Sequence, residues 1–132
     1  MSSCKIFVDG ASRGNPGKAS IGVSIVGTDG QEVGKISQKI GTTTNNVAEY
    51  SALIAGLRYA VDHRFSAVSV YSDSQLMVRQ ILGQYKVKDA NLKKLWDEAK
   101  GMIQGLPSFS IHHVPREQNR RADELANLAL DA

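Results

Sequence analysis

The sequence is poor in cysteine, with Cys4 as the one such residue among 132. A single cysteine cannot form an internal disulfide, which excludes the disulfide-stapled frameworks of small secreted domains. No stretch is both apolar enough and long enough to cross a membrane. The first residues, MSSCKIFVDG, also lack the basic start and long apolar run of a signal peptide. These absences predict a cytoplasmic protein with no membrane association.

The excess of one charge sign over the other is small as well. The 16 Lys and Arg residues against 13 Asp and Glu leave a net charge of +3. Such mild basicity permits a polyanionic partner, but a solvated surface with a slight excess of basic residues explains it equally well. Internal repeats, linkers and low-complexity segments are missing too. Because 132 residues suffice for one domain with a real core, we predict a single domain over residues 1–132.

The N-terminal third contains three strand patterns. CKIFVD (residues 4–9) and SIGVSIV (residues 20–26) have strand character, and Asp29-Gly30 predicts a hairpin turn into a third strand at roughly 32–40. GASRGNPG, residues 10–17, fails the spacing of a phosphate-binding P-loop. We predict a glycine-rich loop there, whose backbone can approach a sugar-phosphate chain closely.

The rest of the chain alternates helices with strands. Strands are predicted at 67–73 and 109–114, and a short helix between them ends near Gly83. A final helix is predicted to begin at a cap formed by Asn119. Two further helices are marked by apolar stripes, one of Val47, Tyr50, Leu53, Ile54, Leu57, Ala60 and Val61, the other of Leu92, Leu95, Trp96, Ala99, Met102, Ile103 and Leu106. The order βββαβααβα predicts a mixed sheet with helices packed on it.

Four acidic residues occupy similar places in this plan. Asp9 and Asp73 end the first and fourth strands, while Glu49 and Asp123 lie in the first turns of two helices. Because ligands bind beyond the carboxyl ends of parallel strands in open α/β sheets, we expect these side chains to gather at one edge. Gathered carboxylates need a cation, and all-oxygen ligands suit Mg²⁺ or Mn²⁺ and not zinc.

Each acidic residue also has a purely structural interpretation. Glu49 has capping-box spacing from Asn46, and Asp73 could cap the helix that follows it. The negative charge of Asp123 could interact favourably with the dipole of its helix, and Asp9 could begin a turn. These interpretations explain the positions one at a time and leave their common location unexplained.

Four motifs, in order and spacing, resemble those of type 1 ribonuclease H: FVDGASRGNPG, TNNVAEYSALIAGL, YSDSQLMVRQI and HVPREQNRRADELANLA. The resemblance covers nearly the whole chain. It implies a ribonuclease H-like α/β fold, with a five-stranded mixed sheet whose second strand is antiparallel to the rest and with helices on both faces. It also implies endonucleolytic cleavage of the RNA strand of RNA–DNA hybrids. A non-catalytic hybrid-binding module is the main rival, although such a module would gain nothing from clustered negative charge near phosphates.

The resemblance also assigns roles to individual residues. It places the catalytic metal ligands at Asp9, Glu49, Asp73 and Asp123, and the catalytic histidine at His113. Two Mg²⁺ ions, about 3.5–4 Å apart in this reaction class, would act with the substrate bound, with Mn²⁺ as a substitute, and the products would carry 5′-phosphate and 3′-hydroxyl ends. Hybrid contacts are expected from Gly10, Asn15, Thr44, Asn45, Asn46 and Gln75.

The chain departs from many of these relatives in three places. It lacks a long basic, tryptophan-rich insertion between the second and third helices, where it has only LGQYKVKDANLK. Thr42 stands where many relatives have an arginine, and the histidine loop VPREQNR contains a proline and no glycine. These features are those of a short form of the family. We expect it to act as a monomer, with the hybrid as its partner and no protein partner implied.

Overall fold

The computed structural model describes residues 2–132 as a five-stranded mixed sheet flanked by helices. Its strands are β1 (Ser3–Gly14), β2 (Gly17–Val26), β3 (Glu32–Thr43), β4 (Ala67–Ser72) and β5 (Ser108–His113). Its helices are α1 (Asn45–Asp62), α2 (Gln75–Ile81), α3 (Ala90–Gln104) and α4 (Arg120–Asp131), with a 3₁₀ turn at Arg116–Gln118. No helix in this part of the chain is long and apolar enough to cross a bilayer.

The strand order is β3-β2-β1-β4-β5. Strand β2 is antiparallel to both β1 and β3, whereas β1, β4 and β5 run parallel to one another. The predicted element order and fold class are therefore confirmed. Helix α1 makes the connection between β3 and β4, which brings β4 alongside β1 in the parallel direction that the sequence predicted.

One face of the sheet packs against α1, with α3 behind it. Alternate residues of β1 and β2 point toward this helix, and the predicted stripe on α1 is buried along most of its length. Val61 is the exception, since 47% of its surface is exposed. Its neighbour Ala60 is fully buried and occupies the inward position three residues after Leu57, so Val61 is turned toward solvent.

The opposite face carries α4, which lies across the antiparallel half of the sheet. A Cβ on Gly22 would lie only 2.0 Å from the carbonyl oxygen of Ala122, so a residue without a side chain is needed here. Two serines complete the contact: Ser20 Oγ donates a hydrogen bond to the Ala126 carbonyl and Ser37 Oγ to the Leu125 carbonyl. This contact sets the position of Asp123 relative to β1.

The predicted glycine-rich loop at 10–17 is wrong in one respect, because most of it belongs to strands. β1 and β2 stay paired as far as Gly14 and Gly17, which leaves only Asn15 and Pro16 in the turn. Ser12 Oγ also donates to the Thr43 carbonyl at 3.0 Å and ties this extension to the end of β3. Glycine content alone suggested a loop, whereas pairing across two strands keeps the segment extended.

Candidate active site

Three carboxylates meet at the edge where the parallel strands end. Val8 of β1 pairs with Ser72 of β4, so that Asp9 and Asp73 follow at neighbouring positions. Together with Glu49 on α1, each of them offers an oxygen atom, and these three atoms all lie within 4.8 Å of one another. The expectation that these three acidic side chains gather at one sheet edge is met.

Glu49 is held by β1 and not by its own helix terminus. The backbone N–H of Gly10 donates to Glu49 Oε1 at 2.5 Å. A Cβ on Gly10 would lie 2.2 Å from the carbonyl carbon of Ala48, so glycine permits the close approach of β1 and α1 that makes this bond possible. Packing thereby explains why glycine is needed at this position. Gly10 also lines the carboxylate cavity.

The caps of the two neighbouring helices are formed by other residues. Thr44 caps α1 by accepting a hydrogen bond from the N–H of Val47, and Ser74 caps α2 by accepting one from the N–H of Met77. The capping interpretations of Glu49 and Asp73 are therefore wrong. Their carboxylates are free to face the same cavity.

Asp123 lies beside the cluster, in the first turn of α4. It lines the same cavity of about 420 Å³ as the other three carboxylates, although it stands outside the group whose atoms approach within 4.8 Å. Arg116 Nη2 lies 3.6 Å from its Oδ1, and Asn127 Nδ2 donates to the same oxygen at 3.3 Å. Asp123 thus has two polar neighbours of its own.

Burial and mutual repulsion perturb the carboxyl groups. Burial raises the pKa of Asp9 above its ordinary range, and the neighbouring Glu49, Asp73 and Asp123 raise it further. Burial also raises the pKa of Glu49, together with the charge of Asp73 and against the opposing effect of the Gly10 N–H. A divalent cation would relieve this repulsion. The all-oxygen donor set fits Mg²⁺ or Mn²⁺, which prefer carboxylate and water ligands.

The polar residues assigned by resemblance divide between two places. Gly10, Asn45 and Asn46 line the carboxylate cavity, and Asn15 is tied to it because its Oδ1 accepts from the N–H of Asn45 at 3.1 Å. Gln75 lines a neighbouring groove instead. Thr44, the α1 cap, lies at the end of α1 that carries the two asparagines.

His113 does not line the carboxylate cavity. It ends β5 beside Ser72, the residue before Asp73, and lines the same groove as Gln75. His112 points to the other face of the sheet, where its ring stacks on Tyr71 with 5.0 Å between centroids. The alternation predicted for the two histidines is therefore confirmed.

Three further residues of the site were not assigned from the sequence. Arg13 and Arg116 line the carboxylate cavity, where they are the basic residues among those described. Asn119 precedes α4 as predicted, but its side chain makes no capping bond. Its buried Nδ2 donates to the carbonyl of Val8 at 2.9 Å, directly before Asp9. Arg116 could have been identified from its place in the quoted histidine motif. The hydrogen bond from Asn119 to Val8 joins residues too far apart in the sequence to be predicted from a local pattern.

Comparison with known proteins agrees with this geometry. A family described as "Reverse transcriptase-like" matches residues 7–129. Ribonuclease HI of Halobacterium salinarum is 46% identical over 95% of this chain, and Bifunctional protein Rv2228c of Mycobacterium tuberculosis is 44% identical over 96%. The chain spans 63% and 35%, respectively, of the lengths of these relatives.

Solved structures give the same result in three dimensions. RNase H1 from Halobacterium salinarum NRC-1 superposes with a TM-score of 0.95 at 44% identity, with 98% of each chain covered. LC11-RNase H1, crystallised in complex with an RNA/DNA hybrid, gives a TM-score of 0.91 at 42% identity, with 97% of this chain and 96% of that one covered. The chain therefore belongs to the type 1 ribonuclease H (RNase H1) family of enzymes.

Proposed function

We propose that this protein is an endonuclease that hydrolyses the RNA strand of RNA–DNA hybrids in a reaction dependent on Mg²⁺, for which Mn²⁺ can substitute. The observation that carries the proposal is the cluster of Asp9, Glu49 and Asp73, whose oxygens lie within 4.8 Å of one another. Hybrid binding is supported by the similarity to LC11-RNase H1, whose crystal structure contains an RNA/DNA hybrid.

The four carboxylates would hold the metal. Asp9, Glu49 and Asp73 provide the close set, and Asp123 borders the same cavity. Two divalent ions, when bound there, would supply Lewis acidity for the attacking and leaving oxygens. With water as the nucleophile and the 3′-oxygen as the leaving group, the products carry 5′-phosphate and 3′-hydroxyl ends.

The side chains around the carboxylates orient them for this role. The Gly10 N–H fixes the direction of Glu49, and Asn127 and Arg116 restrain Asp123. A ligand set held in advance suits Mg²⁺, which demands near-octahedral geometry. His113, at the end of the strand next to Asp73, would transfer a proton at a ring nitrogen, to or from the reacting oxygens.

The substrate is selected through its sugars and shape. Asn15, Asn45, Asn46 and Gln75 would contact the minor groove, where an RNA strand displays its 2′-hydroxyl groups. Thr44 would contact a phosphate of the DNA strand. Since neither kind of contact reads base edges, we expect cleavage that is largely independent of sequence.

The remaining expectations belong to the same proposal. We propose a single catalytic domain that acts as a monomer in the cytoplasm. The Cys4 thiol is buried, and burial raises its pKa to about 11, which suits a structural and unreactive cysteine.

A non-catalytic hybrid-binding module would have no use for buried carboxylates whose repulsion opposes phosphate binding.

The test uses carboxylates whose capping role has been excluded. Glu49→Gln and Asp73→Asn should each fold, as shown by circular dichroism and a cooperative melt, and should lose nearly all cleavage of a labelled hybrid. Asp29→Asn, an exposed change in the β2–β3 turn, is the matched control and should retain activity. Cleavage by folded Glu49→Gln at the rate of the unsubstituted protein would contradict the proposal.

A further inference from the structure

A second concave site adjoins the carboxylate cavity and differs from it in charge. It is a groove of about 340 Å³ between α2 and the end of β5, and the polar side chains around it include those of Gln75, Arg79, Gln84 and His113. No Asp or Glu among residues 2–132 lines this groove. Its lining consequently provides hydrogen-bond donors and positive charge, without carboxylates that would repel an anion.

Arg79 is the fixed cation of this groove. Its guanidinium lies over the ring of Tyr85, 5.3 Å from the centroid, which restricts where the charged group can be. Within residues 2–132, Arg79 makes no ion pair. Four other arginines are paired with carboxylates, namely Arg13, Arg58, Arg116 and Arg121. A stacked guanidinium without a carboxylate partner is well suited to bind a phosphate through two hydrogen bonds.

The groove and the carboxylate cavity are contiguous along the chain. Ser74 lines the cavity and the next residue, Gln75, lines the groove. His113 pairs with Ser72, one residue before Asp73. A nucleic acid strand carries one phosphate per nucleotide, so a strand with one phosphate at the carboxylates presents the next to an adjoining site.

We propose that Arg79, in this groove, forms a binding site for a phosphate of the RNA strand adjacent to the one that is cleaved. This inference rests on the proposed function, because it requires the scissile phosphate to lie at the carboxylates. The site supplies a specific cationic contact in a chain that lacks a long basic insertion between α2 and α3.

The test removes one charge at each of two unpaired arginines. Arg79→Gln is compared with Arg64→Gln, because Arg64 is exposed, makes no ion pair within residues 2–132 and lies before β4, at the end opposite the carboxylates. Both changes are made in an Asp73→Asn background to prevent cleavage. Fluorescence anisotropy of a labelled RNA–DNA hybrid is measured over a series of KCl concentrations, and thermal melts verify folding.

Arg79→Gln should weaken hybrid binding and lower the slope of log affinity against log salt by about 0.7–0.9, the contribution of one phosphate contact. Arg64→Gln should leave the slope unchanged, and Arg79→Lys should restore most of it because it restores the charge. Equal slopes for Arg79→Gln and Arg64→Gln would overturn the site, even if the unsubstituted protein cleaves the hybrid. Failure of the unsubstituted protein to cleave the hybrid would instead contradict the proposed function, and the phosphate site with it.

Discussion

At the scale of single residues, Asp9 shows most clearly what the fold demands of the site. It is only 6% exposed. Burial raises its pKa above the ordinary carboxyl range, and the other three carboxylates raise that pKa further. Between the ordinary carboxyl pKa of about 4 and this raised value, the folded chain binds more protons than the unfolded chain. Stability therefore falls as the pH rises through this window, and without metal the cluster destabilises the fold at neutral pH.

The replacement Asp9→Asn removes this conflict. In buffer with EDTA at neutral pH, the variant should melt at a temperature at least about 3 °C higher than the unsubstituted protein, since about 1 kcal/mol shifts Tm by about 2–8 °C in domains of this size. Its melting temperature should also vary less with pH, and Mg²⁺ should stabilise it less. Asp29→Asn is the control. A lower melting temperature for Asp9→Asn under metal-free conditions would mean that the carboxylate is needed for folding.

The two histidines provide a second prediction at this scale. His113→Ala should reduce kcat on saturating hybrid and Mg²⁺ by about 10²-fold, at the lower end of the range for general acid–base catalysis, because Pro115 stiffens its loop. His112→Ala removes a ring that stacks on Tyr71 on the other face of the sheet, and should leave kcat nearly unchanged. Equal mild losses in both variants would leave the carboxylates as the whole catalytic apparatus.

The residues of the carboxylate cluster could be predicted because each stands at the end of a recognisable element. The side-chain directions of His112 and His113 followed from strand alternation alone. The role of Asn119 could not be predicted, because its hydrogen bond to the Val8 carbonyl joins residues 111 positions apart. A local pattern identifies a residue that precedes a helix, but it cannot show that the side chain turns away to hold another element.

At the scale of secondary structure elements, two glycines determine how closely helices approach the sheet. Gly10 lets α1 approach β1 and so brings Glu49 to the cluster, while Gly22 lets α4 approach β2 and so places Asp123 beside it. The order and type of the elements could be predicted from periodicity and turn residues. The length of β1 and β2 could not, because their pairing beyond Gly10 depends on partner strands and not on local composition.

Gly22 offers a test of this close packing. Gly22→Ala should destabilise the protein by about 1–3 kcal/mol, the range found when an extra methyl group is forced into a packed interior. Gly101→Ala is the matched control, because a Cβ there meets nothing within 4 Å. Alanine should stabilise the exposed interior of α3 at that position by about 0.5–1 kcal/mol. Urea unfolding of both variants measures the difference, and two changes of the same sign would contradict the packing argument.

At the scale of the whole molecule, negative charge is concentrated at one sheet edge and basic residues lie around it. Arg13 and Arg116 border the carboxylate cavity, and Arg79 lies in the adjoining groove. Lys93, in the LGQYKVKDANLK segment that stands in place of the insertion, is already paired with Asp97 at 2.8 Å and lies over the Trp96 ring. Because the chain lacks a long basic insertion, we expect few phosphate contacts, and hence binding to the hybrid that is modest and sensitive to salt.

The most direct test of the central claim is to map the products formed from a hybrid of known sequence. An RNA strand paired with DNA is incubated with the protein in Mg²⁺ or EDTA, beside an all-DNA duplex of the same sequence, and the ends of the products are identified. The predicted result is Mg²⁺-dependent cleavage within the RNA strand of the hybrid alone, with 5′-phosphate and 3′-hydroxyl ends. Products ending in 2′,3′-cyclic phosphate, or equal cleavage in EDTA, would contradict hydrolysis by a metal-dependent carboxylate site.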